Sequence, residues 1–124
     1  MKGLIVTTKN EMRLVDYDPP HYDIIREAVG GGWYEHVLPR RLPHPYCMMV
    51  DEEGLLKSLP VNTLGSYLYQ TDLHGSAIVG DIIILKDGYF AGERDTVGLT
   101  EEEARTLADS FITKTNGLVH WAEN

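Results

Sequence analysis

Three groups of side chains in this sequence have the types and spacing to do chemistry. The stretch Val50 to Asn62, VDEEGLLKSLPVN, gathers Asp51, Glu52 and Glu53 with a glycine, a proline and an asparagine. Calcium loops and tight turns share that composition. His36, His44 and Cys47 place two imidazoles and a thiol within twelve residues, donor types that zinc accepts. Arg40 and Arg41 are the one adjacent basic pair, held in the proline-rich PRRLPHP segment near Trp33, Tyr34 and His44. Arginine beside aromatics on a stiffened loop is a device for engaging anions, nucleotides or protein hot spots.

Each group also has a plainer reading. An EF-hand needs oxygen ligands at alternate positions and a distant glutamate, and VDEEGLLKSLPVN lacks that spacing. Aspartate at the first position and glycine at the fourth suit a type I turn over Asp51-Glu52-Glu53-Gly54. With YCMMV (Tyr46 to Val50) before it and LLKSL after it, the stretch predicts a hairpin with a bulge at Gly54. Glu52 and Glu53 then point to water. The spacing of His36, His44 and Cys47 matches neither a helix-face pair nor a zinc knuckle, so no metal site is assigned. Cys47 in an apolar strand reads as a buried, inert thiol. The proline and arginine loop is also what a sheet edge uses to discourage aggregation. Asn62 reads first as a helix N-cap and second as a ligand contact. The binding candidates are therefore Arg40, Arg41, Asn62, Glu52, Glu53 and Trp33. No catalytic residue and no cofactor is assigned, because no G-x-S-x-G elbow, H-E-x-x-H, P-loop or dinucleotide fingerprint occurs.

The elements that must position these residues follow from patterning. GLIVTT (Gly3 to Thr8) and MRLVDY (Met12 to Tyr17) predict an opening hairpin. Asp18 to Val29 reads as a short helix, with Asp18 able to accept from first-turn amides, Pro19 or Pro20 at a position needing no N–H, and Gly30 to Gly32 as its stop. GGGWY follows this helix and precedes the strand WYEHVL (Trp33 to Leu38). That order is the reverse of a phosphate-cradling loop. Asn62 is expected to cap TLGSYLYQT. Ile82 to Leu85 predicts a fully buried strand, and Asp87-Gly88 a two-residue hairpin turn with Tyr89 and Phe90 on the return strand. LTEEEARTLADSFITKTNG is a helix with Thr100 and Glu103 as a capping box and Ala104, Leu107, Ala108, Phe111 and Ile112 facing the core. LVHW, Leu118 to Trp121, either adds a short final strand or docks on the core. Together these give one α+β domain over residues 1–124, a mainly antiparallel, curved sheet packed by one long C-terminal helix and one or two short helices.

Composition bounds the function. The chain is 43% hydrophobic and 24% charged, the balance of a globular domain. Its apolar runs are far too short to cross a bilayer, and its N-terminus reads as a strand rather than a secretory signal. One cysteine permits no internal disulfide, so a cytoplasmic location is expected. The net charge is −8, and residues 51–124 carry thirteen acids against five bases. Such a surface disfavours direct nucleic-acid binding and anionic membranes. It suits a basic protein partner, mimicry of nucleic acid, or plain solubility.

The strand running into DEEGLLKSLPVN, the following IVGDIIIL and the late LTEEEA helix start resemble a family known as a domain of unknown function, numbered 3846. The resemblance spans roughly residues 1–115, and its middle block is the specific part. It implies a product of phages, plasmids or related mobile elements and brings no activity with it. The family often has a basic residue after the asparagine, where Thr63 stands here. The expected function is that of a non-enzymatic accessory protein binding a host protein or a small signalling molecule. The alternatives are an acidic nucleic-acid mimic with an anti-defence role and a small enzyme without a recognisable motif. A homodimer through an exposed strand edge fits the same elements.

Overall fold

Four consecutive apolar residues, Ile82 to Leu85, are fully buried because helices cover both faces of the sheet they cross. A strand covered on one side only would alternate. The computed structural model describes residues 1–18 and 22–123. In chain order its elements are β1 (Lys2–Val6), β2 (Glu11–Asp16), α1 (Tyr22–Val29), β3 (Tyr34–Val37), β4 (Tyr46–Asp51), α2 (Thr63–Leu68), α3 (Thr71–His74), β5 (Ile82–Phe90), β6 (Glu93–Val97), α4 (Glu101–Lys114) and β7 (His120–Trp121). They form a seven-stranded sheet ordered β3-β4-β5-β1-β2-β7, with β6 paired to the outer half of β5. Every pairing is antiparallel except β2 with β7. The expected α+β class and opening hairpin are present, and LVHW supplies the final strand.

The pleat sorts the core into two layers. Leu4, Val6, Met48, Val50, Ile82 and Ile84 pack against Ala104, Leu107, Ala108 and Phe111 of α4 and Leu64 and Leu68 of α2. On the opposite face Ile5, Cys47, Met49, Ile83 and Leu85 meet Ile25, Ala28 and Val29 of α1. The proline positions expected at the start of the first helix, residues 19 and 20, lie outside the described residues.

One turn falls elsewhere than the sequence suggested. Asp87 and Gly88 lie within β5, and the chain reverses at Ala91-Gly92, with φ of 53° and 82° and Phe90 facing Glu93 across the closing pair. Two successive residues at positive φ match the twist of a hairpin. Gly88 instead answers a packing need, since a Cβ there would lie 2.7 Å from Val97 Cγ2. Tyr89 and Phe90 therefore extend β5 rather than begin its return partner.

The capping box of α4 also ties the helix to the sheet. Thr100 Oγ1 accepts from the Glu103 amide at 3.0 Å, and Glu103 Oε1 accepts from the Thr100 amide at 2.9 Å. The same carboxylate takes Lys86 Nζ at 3.0 and 3.1 Å and the Tyr46 hydroxyl at 3.2 Å. The Thr100 amide, assisted by Lys86, holds the Glu103 carboxyl below its ordinary value of 4.5. A carboxylate depressed in this way adds stability above the unfolded value and loses it as pH falls through the folded one. Glu103→Gln should cost about 1–2 kcal/mol at neutral pH. Urea unfolding of the two proteins should show that difference shrinking below pH 4.5. A gap that stays constant between neutral and acid pH would show that the charge of Glu103 contributes nothing.

Candidate functional site

The DEEGLLKSLPVN stretch is a compact turn. Asp51, at the end of β4 and buried, accepts from the Glu53 amide at 2.8 Å and from Lys57 Nζ at 2.7 Å. The Gly54 amide reaches the Asp51 carbonyl at 3.3 Å, as the turn expectation requires. Beyond that point LLKSL is not the expected strand. Lys57 bonds back to the Glu53 carbonyl and Leu59 to that of Gly54, coiling the segment on itself. β4 is already paired by β3 on one edge and β5 on the other, so no edge remains for a return strand. Nor is there a bulge at Gly54: the left-handed residue of this coil is Ser58, with φ of 55°.

This coil leaves Leu55 and Leu56 facing water, 71% and 86% exposed. Leu55 forms one lip of a cleft of about 170 Å³ whose walls include Val37, Val50, Tyr69 and Ile78. Glu35 of β3 and Glu52 line the same cleft and are exposed. Neither carboxylate has a partner among the described residues. Among the described residues β3 is bonded to β4 alone and forms an edge of the sheet.

The six candidate residues separate into three places. Trp33 and Glu52 are neighbours, the Glu52 amide donating to the Trp33 carbonyl at 3.0 Å, and Glu53 adjoins them on the turn. Trp33 is 64% exposed, and its ring carries the Arg26 guanidinium 5.0 Å from its centre. Arg40 is exposed, whereas Arg41 is committed to the fold. Its two terminal nitrogens grip Asp72 at 2.8 and 3.1 Å, one of them also donates to the Tyr67 carbonyl at 2.8 Å, and the plane lies 4.7 Å from the Tyr67 ring centre. This pairing holds the Asp72 carboxyl below its ordinary value. Asn62 lies in the interior with no exposed surface and caps α2 as expected, its Oδ1 accepting from the Gly65 amide at 2.9 Å.

One grouping escaped the sequence reading. Among the described residues, His36, Cys47 and Asp87 bring an imidazole nitrogen, a thiol and a carboxylate oxygen within 4.8 Å of one another. His44, the nearer histidine in sequence to Cys47, is not in the group. The signal available was Asp87 itself, which Asp-Gly had marked as a turn. Burial, followed by the Asp87 carboxylate, pushes the Cys47 thiol far above its ordinary value. It is thus protonated and unsuited to nucleophilic attack.

The family profile described as "Domain of unknown function (DUF3846)" matches residues 1–112. This chain belongs to the DUF3846 family. The match runs from β1 into α4, so the acid-lined cleft and its leucine lip lie within the DUF3846 domain while β7 follows the matched region. No curated protein and no solved structure matches the chain.

Proposed function

We propose that this DUF3846 protein is a non-enzymatic binding protein that seats a basic segment of a protein partner in the cleft beside Leu55. The observation that carries this reading is the exposure of Leu55 and Leu56, at 71% and 86%, on a turn braced by Asp51 and Lys57. Adjacent large apolar side chains exposed to water and rimmed by polar groups mark interaction surfaces. Covering each one contributes about 1.5–3 kcal/mol on association. The unpartnered carboxylates of Glu35 and Glu52 supply the charge preference. In the setting implied by the family resemblance, a bacterial cell carrying a phage or other mobile element, the partner is a host protein.

The rival readings are less well supported. A small anion would want free guanidinium donors, and those of Arg41 are taken by Asp72 and Tyr67. A nucleic-acid mimic needs a continuous run of free carboxylates, whereas Asp51, Asp72 and Glu103 are each neutralised by a cation of the fold. The test is capture of partners from bacterial lysate by the tagged protein and by Leu55→Ser/Leu56→Ser and Glu35→Lys/Glu52→Lys variants. One basic protein should be recovered stoichiometrically by the wild type and lost by both variants, with melting temperatures unchanged. Recovery of no such protein, or its equal retention by both variants, would overturn the reading. A nucleotide-like molecule released on heating would replace it with sequestration of a small ligand.

A further inference from the structure

We propose that His36, Cys47 and Asp87 form a binding site for a zinc-type divalent cation. The site is built by the register of three adjacent strands. His36 on β3 faces Met49 on β4, and Cys47 is the next residue of β4 on that face. Cys47 in turn faces Leu85 on β5, and Asp87 is the next residue of β5 on that face. Each donor is therefore the diagonal neighbour of the one before it, within reach of side chains that lean together across a pleated sheet. Strand backbones fix all three, so the cluster does not depend on a loop.

The donor set is selective. Thiolate, imidazole and carboxylate together suit zinc and cobalt, whereas magnesium and calcium want oxygen alone. Donors around a tetrahedral zinc stand roughly 3–4 Å apart, given metal–ligand distances of about 2.0–2.3 Å. His36 Nε2 and Asp87 Oδ1 are already 2.8 Å apart, and the whole set lies within 4.8 Å. Small χ rotations suffice to close it around an ion. The Cys47 side is sealed by the core while His36 and Asp87 remain 38% and 19% exposed. An ion therefore enters from the histidine side, and water or an outside donor completes its fourth position, as in zinc sites with three protein ligands. Without metal, the Asp87 carboxylate is bonded to His36 at 2.8 Å, with the Cys47 thiol in the same cluster. On binding, the sulfur–metal bond replaces the S–H bond and the proton passes to solvent.

Cobalt(II) titration of the purified protein tests the site, because a thiolate bound to cobalt gives a near-ultraviolet charge-transfer band. The band should saturate at one equivalent, disappear on addition of zinc, and be absent in Cys47→Ser. His36→Ala and Asp87→Asn should weaken zinc binding by at least about tenfold, the scale of losing a metal's immediate support. Zinc should raise the melting temperature of the wild type and not of these variants. His36→Ala changes a partly exposed side chain and keeps the test decisive where the buried cysteine variant does not fold. Absence of the band at one equivalent, or zinc affinity unchanged in His36→Ala, would overturn the proposal.

Discussion

Asn62→Ala should unfold at a markedly lower urea concentration than the wild type, with a loss of about 3 kcal/mol. The side chain is fully buried, and its amide nitrogen donates to the carbonyls of Val6 and Gly80, both at 3.0 Å. Its oxygen caps α2 through the Gly65 amide at 2.9 Å. One asparagine thus fastens β1, the chain entering β5 and the start of α2 at a single point. Losing the cap costs about 1 kcal/mol, and each backbone group left short of a partner in the interior adds about 1–3 kcal/mol before relaxation. Asn62→Ser, which keeps a capping oxygen without the reach to both carbonyls, should recover only the share due to the cap. Asn62→Asp retains the acceptor but turns a carboxylate toward two carbonyl oxygens. Its pKa would rise in the folded state, so its penalty grows as pH climbs above the unfolded value of about 3.9 and is relieved in acid. A loss below about 1 kcal/mol for Asn62→Ala would show that water replaces these bonds.

Gly98→Ala should be comparably damaging for a purely steric reason. A Cβ at this position would stand 2.6 Å from the Tyr17 carbonyl oxygen and 2.5 Å from Met1 Cβ. Backbone cannot rotate aside as a side-chain end can. The crossing is also bonded on both sides, with Lys2 and Leu99 exchanging two hydrogen bonds of 2.7 Å and the Tyr17 amide donating to the Met1 carbonyl at 2.9 Å. Forcing atoms into a packed site costs about 1–3 kcal/mol, and the upper end applies where backbone must shift. Gly88→Ala is the useful comparison, because its closest neighbour is the Val97 side chain at 2.7 Å. Thermal unfolding should place Gly98→Ala well below Gly88→Ala, and the reverse order would show that the crossing at Tyr17 yields.

The contrast between these residues shows how far the sequence could be read. Asn62 was legible as a cap because capping needs only an acceptor followed by a helical segment. Its two long-range bonds were not legible, since Val6 lies fifty-six residues away. Arg41 looked available beside aromatics until the fold brought Asp72 to it. Thr100 with Glu103, the GLIVTT hairpin and the buried IIIL run were written in local spacing and stood. LLKSL had the composition of a strand and lost that role because both edges of β4 were occupied.

What the sequence alone determined, then, was the local vocabulary: the α+β content, the opening hairpin, the capped helices, the glycine stops and membership of the DUF3846 family. Only the tertiary structure decided which strands neighbour one another. That choice exposed Leu55 and Leu56, consumed Arg41, buried Asn62 and set Asp87 beside His36 and Cys47. The physical reason is the range of the forces involved. Caps and turns are satisfied within a few residues, whereas sheet order depends on competition among all the available edges and faces, and no short stretch encodes its outcome.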